Sequence, residues 1–240
     1  MAGSTGPDIV TDGLIFALDA ANKNSYPGSG TVWTDLAGPG KTGTLTNGPT
    51  FSSAKHGAIV LDGSNDYIQT NFVYSLPTIT TNFTAGVWVN VPTNSVTYGQ
   101  SVISNYYSEN DSTTLAPFNL AIRGGNASNA GKFSGYSKGD GGSSHGLYST
   151  SRVDGGGWHY CVYSKNNNLY TVYVNGVSEN TTTSVLGITT ITHGMTLGNL
   201  NYYLNQGWLG GSIAHLTVHN RALTATEVLQ NYNATKTRFI

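Results

Sequence analysis

The sequence predicts an all-β fold, a sandwich or barrel of short strands carrying one C-terminal helix. Three observations lead there. Charged residues make up only 10% of the 240 positions, and glycine alone fills 31 of them. With abundant Asn, Thr and Ser, that composition suits short strands and tight turns, because Gly and Asn tolerate positive φ and Thr favours strands. Short apolar-polar runs then recur along the chain, with turn signals between them at fairly regular spacing.

In chain order the first strand is "LIFALDA" (14–20). "AIVLDG" (58–63) and "YIQT" (67–70) flank a turn. "FTAGVWVNV" (83–91) alternates, placing Phe83, Ala85, Val87, Val89 and Val91 on one face and Trp88 on the other. "SVISN", "FNLAIRG" and "KFSGYSK" follow. "WHYCVYSK" (158–165) and "LYTVYVNG" (169–176) read as a hairpin about "NNN", and Asn175-Gly176 is a type I′ turn signal. "MTLGN" and "GSIAHLTVHN" are the late strands. Thr224-Ala225-Thr226-Glu227 is a T-x-x-E capping box. It opens a helix whose apolar stripe is Val228, Leu229 and Tyr232, with Ala225 joining. The least periodic region, 106–157, is expected to hold long loops broken by strands at Phe118 and Phe133. No linker or repeat appears, so residues 1–240 read as one domain, with 1–11 an extended N-terminal arm.

Composition also removes function classes. Net charge is −1 without a basic patch, which argues against nucleic acid. No run approaches the roughly 20 apolar residues of a membrane helix. The N-terminus lacks a signal peptide's basic and apolar regions. Cys161 is the only cysteine, so no internal disulfide can form. It reads as a small buried hydrophobe. The chain is therefore expected to be made in a cytoplasm and to insert in no membrane.

Several strings look like catalytic or ligand motifs and fail on context. "GPGKTG" (38–43) contains G-x-G-x-x-G and G-K-T. A P-loop would need glycine at position 35, which is Asp35, and the Asn-Gly-Pro that follows cannot open a helix. It reads as a turn with Lys41 exposed. "GSSHG" (142–146) matches G-x-S-x-G, but its glycine-rich surroundings predict a flexible loop rather than a nucleophile elbow. His215 and His219, four apart on a strand, lie about 13 Å from each other and cannot share a metal. In "LDGSNDY", Asp62, Ser64 and Asp66 have calcium-loop offsets, yet Tyr67 replaces the required glycine and Val73 the closing acid. Asp62 and Asp66 read as caps of their own turn, with a looser calcium site as the alternative. The three glutamates, Glu109, Glu179 and Glu227, form no cluster. A polysaccharide hydrolase would need Glu109 or Glu179 about 5–9.5 Å from an Asp.

The two ends of the chain, "DGLIFALDAANKNSYPGSGTVWTDLAGPGKTGTLTNGPTFSS" and "GWLGGSIAHLTVHNRALTATEVLQNYNATKTRF", resemble laminin-G-like, concanavalin A-like lectin/glucanase domains. So do "AIVLDGSNDYIQT", "FTAGVWVNV" and "LYTVYVNG", in family order, whereas 98–157 matches poorly. The resemblance implies a concanavalin A-like jelly-roll sandwich of two antiparallel sheets. Its glucanase acid cluster is absent, which disfavours an enzyme. The wording of the termini is most similar to such domains in structural proteins of tailed bacteriophages, including cyanophages. It implies a non-enzymatic virion surface protein on capsid or tail, multicopy or homo-oligomeric among other virion proteins and made in the bacterial cytoplasm. The alternative is an adhesion module for host surface glycans, often beside calcium in this family. Tyr106, Tyr107, Asp111, Asn126, Asp140, Tyr202, Tyr203 and Trp208 are its candidate sugar contacts. Against that stands the simpler reading that Trp208 is core and the loop tyrosines make protein contacts.

Overall fold

A computed structural model of the chain describes residues 7–73, 82–92, 99–105, 116–125, 128–139, 143–186, 194–200 and 207–240. Among these, sixteen strands form two sheets whose strand pairs are antiparallel. Numbered along the chain, the first sheet runs β14 (Val177–Thr183), β13 (Leu169–Val174), β12 (Trp158–Asn166), β7 (Asn82–Asn90), β16 (Gly210–His219), β5 (Ala58–Asp62), β4 (Thr50–Ser52). Strand β1 (Leu14–Asp19) pairs with the second half of β16. The second sheet runs β11 (Ser144–Arg152), β10 (Lys132–Lys138), β9 (Ala116–Ile122), β8 (Gln100–Ser104), β15 (Gly194–Leu197), β6 (Tyr67–Val73), β3 (Thr42–Thr46), β2 (Val32–Thr34).

The main core lies between the sheets. Strand β7 shows how the sequence builds it: Phe83, Ala85, Val87 and Val89 enter the inter-sheet cluster, while Trp88 enters a second cluster on the opposite face. That is the period-two division expected of a strand. From the second sheet come Phe118, Leu120, Ile122, Phe133 and Leu147. Gly135 leaves room for the Tyr163 ring, which occupies the place a Cβ would take. Cys161 is buried in the same core, and burial pushes its thiol well above the ordinary value. Asn175 and Gly176 both have positive φ, 51° and 82°, as a type I′ turn requires.

Helix α1 (Ala225–Thr235) begins at the anticipated box: Thr224 Oγ1 accepts from Glu227 N at 3.2 Å, and Thr224 N donates to Glu227 Oε2 at 2.8 Å. Its buried face differs from the expected stripe. Val228, Asn231 and Thr235 are buried, Tyr232 packs partly, and Leu229 is 43% exposed. Two polar residues belong inside because each has work there: Asn231 Oδ1 accepts from Val10 N, and Thr235 Oγ1 accepts from Trp88 Nε1, both at 2.7 Å.

Two further expectations are corrected. Lys41 is not a free turn residue. Its Nζ donates to Ile15 O at 3.2 Å and stands 3.6 Å from the buried Asp35, whose Oδ1 already caps Ala17 N and Ala37 N. The turn is locked from inside. The "GSSHG" string is not a flexible loop where it is described: Ser144, His145 and Gly146 begin the nine-residue strand β11.

Candidate functional site

The outer faces of the two sheets differ. On the first, Trp88, Tyr160, Val162 and Tyr173 are covered by Leu223, Val228 and Phe239 from the C-terminal segment. On the second, a recess of about 290 Å³ opens over β8, β9, β10 and β11.

Its floor follows from strand register. Ser101 faces Ala121, Ala121 faces Ser134, and Ser134 faces Tyr148. This row is small at its first three positions, and Ser101, Ala121 and Ser134 lie buried at the bottom of a trough across the strands. The adjacent row is Asn119, Tyr136 and Gly146, again successive partners. Tyr136 and Tyr148 rise on either side of Gly146. A Cβ at Gly146 would stand 3.2 Å from the Tyr148 hydroxyl and 3.8 Å from the Tyr136 ring, so glycine keeps the space between the two rings open. Leu200, Gly207 and Gly99 close the β8 end, where Ser101 N donates to Gly207 O at 2.8 Å.

The lining chemistry is hydrogen bonding and aromatic. Ser101 Oγ donates to Asn119 Oδ1 at 2.9 Å, which fixes the amide. The Arg123 guanidinium lies 5.6 Å from the Tyr148 ring centre, a cation–π distance. No carboxylate lines the recess among the described residues. The remaining described glutamates are engaged elsewhere. Glu227 binds Arg221 and Thr224, which hold its carboxyl at about 2, the Arg221 bond contributing most. Glu179 accepts three bonds from Thr150 and Ser151.

Of the sequence-predicted contacts, Tyr106, Tyr107, Asp111, Asn126, Asp140, Tyr202 and Tyr203 lie outside the described residues. Trp208 is half-buried, its ring 6.2 Å from that of Tyr67. It follows directly on Gly207 of the recess wall. Asp62 Oδ1 accepts from Ser64 N at 2.8 Å and Asn65 N at 3.3 Å, and the Ser64 bond holds its carboxyl below the ordinary range. Asp66 Oδ2 accepts from Asp62 N at 3.1 Å, and burial raises its carboxyl. Both side chains thus cap the turn. Among the described residues no three His, Cys, Asp or Glu side chains gather as a metal set.

The sequence reading missed Ser101, Asn119, Arg123, Ser134, Tyr136, Gly146 and Tyr148. One signal was available: alternation in "KFSGYSK" puts Lys132, Ser134, Tyr136 and Lys138 on the face away from buried Phe133 and Gly135.

A sequence profile described as the concanavalin A-like lectin/glucanases superfamily matches residues 62–229. No curated protein sequence matches the chain. Among solved structures, similar folds include the receptor binding domain of botulinum neurotoxin C/D mosaic serotype, with a TM-score of 0.70 and 16% identity over 93% of this chain. The binding domain of Paraclostridial Mosquitocidal Protein 1 has a TM-score of 0.69 and 16% identity over 93% of this chain. The botulinum neurotoxin serotype D ligand binding domain in complex with N-acetylneuraminic acid has a TM-score of 0.69 and 14% identity over 93%. The chain spans about half of each, 51%, 52% and 51% respectively, and at these identities the likeness is one of fold.

Proposed function

The chain belongs to the concanavalin A-like lectin/glucanases superfamily, and on that premise we propose that it is a non-enzymatic carbohydrate-binding domain whose ligand lies in the recess on the second sheet. The observation that carries this reading is the recess floored by the small row Ser101–Ala121–Ser134 and flanked by Asn119, Tyr136 and Tyr148. A sugar presents hydroxyls and an apolar ring face. Asn119 and the serines answer the first, and the tyrosine rings answer the second. The absence of a lining carboxylate among the described residues supports binding without hydrolysis. The similar structures are binding domains, one in complex with N-acetylneuraminic acid, and their fold supports the same reading.

A glycan array of the whole chain tests this, run with and without calcium beside Tyr136→Ala and Tyr148→Ala. Glycan signals that both variants lose are expected. An array without signal in either condition overturns the reading.

We place this domain on a virion surface, as one of many copies among other virion proteins, with residues 1–240 forming one unit; of the expected arm 1–11, residues 1–6 lie outside the described residues and Val10 is docked on Asn231 and His219. Support for that setting is the resemblance of the chain's ends to laminin-G-like domains of tailed-phage structural proteins. Mass spectrometry of purified particles checks it: particles lacking the chain would remove the virion setting and leave the recess untouched.

A further inference from the structure

Strand β11 is the edge of its sheet and among the described residues pairs there only with β10. The register of that pair slips once. Lys132 faces Arg152 and Ser134 faces Tyr148, so two steps on β10 match four on β11. The surplus lies at 149–151 and forms a bulge. A bulge frees backbone amides from the ladder, bends its strand and re-aims the side chains beside it.

The freed groups have specific partners. Ser149 Oγ accepts from Phe133 N at 3.0 Å and donates to Ser151 O at 2.7 Å. Thr150 N and Ser151 N both donate to Oε2 of Glu179 at 2.8 Å, and Thr150 Oγ1 donates to the same oxygen at 3.0 Å. Glu179 stands on β14, the edge strand of the other sheet. Its neighbour Asn180 donates from Nδ2 to Tyr148 O at 3.0 Å. Four bonds therefore cross from one sheet to the other at this stretch, and one ends on Tyr148 itself.

We infer that Glu179 and Asn180 are positioning residues of the recess: from the opposite sheet they fix the β11 bulge and so set where the Tyr148 ring stands. This rests on the reading of the recess as the ligand site. A carboxylate suits the task, because it only accepts and can gather several converging donors on one oxygen. Burial raises the Glu179 carboxyl, but the Ser151 and Thr150 bonds together outweigh it and leave it below the ordinary value, ionised at neutral pH. Neither residue lines the recess, so neither would be chosen from a list of ligand contacts.

The experiment reads Tyr148 without any ligand. Isotope-labelled tyrosine reports the ring by NMR, with Tyr148→Phe for assignment, and amide exchange reports the bulge. In Glu179→Ala the Tyr148 ring signals shift, and the Thr150 and Ser151 amides exchange about tenfold faster or more, while β7 and β12 keep their protection. Glu179→Gln keeps one carbonyl acceptor and restores part of the protection. Asn180→Ala moves the Tyr148 signals in the same direction by less. Unchanged Tyr148 signals in Glu179→Ala would overturn the inference. So would an equal loss of protection across β7 and β12, which would mark a general structural role. Should the alanine variant not fold, the glutamine variant is judged by the same criteria. The two readings fail separately: an array blank beside a shifted Tyr148 removes the recess and keeps the clasp. An unshifted Tyr148 beside glycan binding does the reverse.

Discussion

The outer face of the first sheet and the outer face of the second start from the same alternating pattern and end in opposite states. On the first, alternate positions carry Trp88, Tyr160 and Val162, a surface too apolar to leave in water, and the chain's own last turn closes it. The Phe239 ring stacks on Trp88 at 4.3 Å and Tyr160 lies 5.5 Å from it. On the second, the alternate positions carry Ser101, Ala121, Ser134 and Gly146, which are too small to demand a cover. Alternation decides which residues face outward. Their size decides whether the face carries a packed apolar cluster or a recess.

The largest test of this contrast is Trp88→Ala. It removes the stack with Phe239 and the bond to Thr235, and should cost about 3–5 kcal/mol in urea unfolding. A cost below about 1 kcal/mol would mean that the cover contributes little.

Acid should loosen the same face next. His215 is buried beside Asp19 and Arg238, the latter belonging to the covering segment. Burial holds its imidazole at about 4 against an ordinary 6.5, Asp19 opposing and Arg238 adding to the shift. The unfolded chain therefore takes up the proton first. Stability is full above about pH 6.5 and falls as pH drops toward 4, by roughly 3 kcal/mol from this group. His145, on β11 with its ring against Tyr163 and Tyr170, is likewise held at about 4, chiefly by burial and then by Lys165, and adds loss in the same window. His215→Gln should flatten the pH profile of the urea midpoint, and an unaltered profile would exclude His215 as its source.

Thr224→Ala should cost about 1 kcal/mol, since it breaks the capping box of the covering helix. The smallest stability effect belongs to the open face. Tyr148→Ala should change the unfolding free energy by less than about 0.5 kcal/mol while removing glycan binding. A large destabilisation there would erase the distinction between the two faces.

The fold was legible because its signals are local. The alternation around Trp88, the Asn175-Gly176 turn and the Thr224–Glu227 box each lie within nine residues, and each appears where expected. The recess was not legible for the opposite reason. Ser101, Ala121, Ser134 and Tyr148 become neighbours only through the order β8-β9-β10-β11 and one register each, which no short window contains. Expecting loops across 106–157 hid β11 altogether, and with it Tyr148. Glu179 stands in the sequence as a possible catalytic acid because its residue type is visible there. Its partners on a distant bulge are not.

Strand β16 carries one more consequence, for the order of events during synthesis. Residues 14 and 219 are ladder partners, and β16 also joins β5 to β7 in mid-sheet. The first sheet therefore cannot close on the ribosome until residue 219 has left the exit tunnel. Until then β1, β5 and β7 wait with open edges. A chain of such remote pairings folds slowly and spends its growth exposed to neighbours.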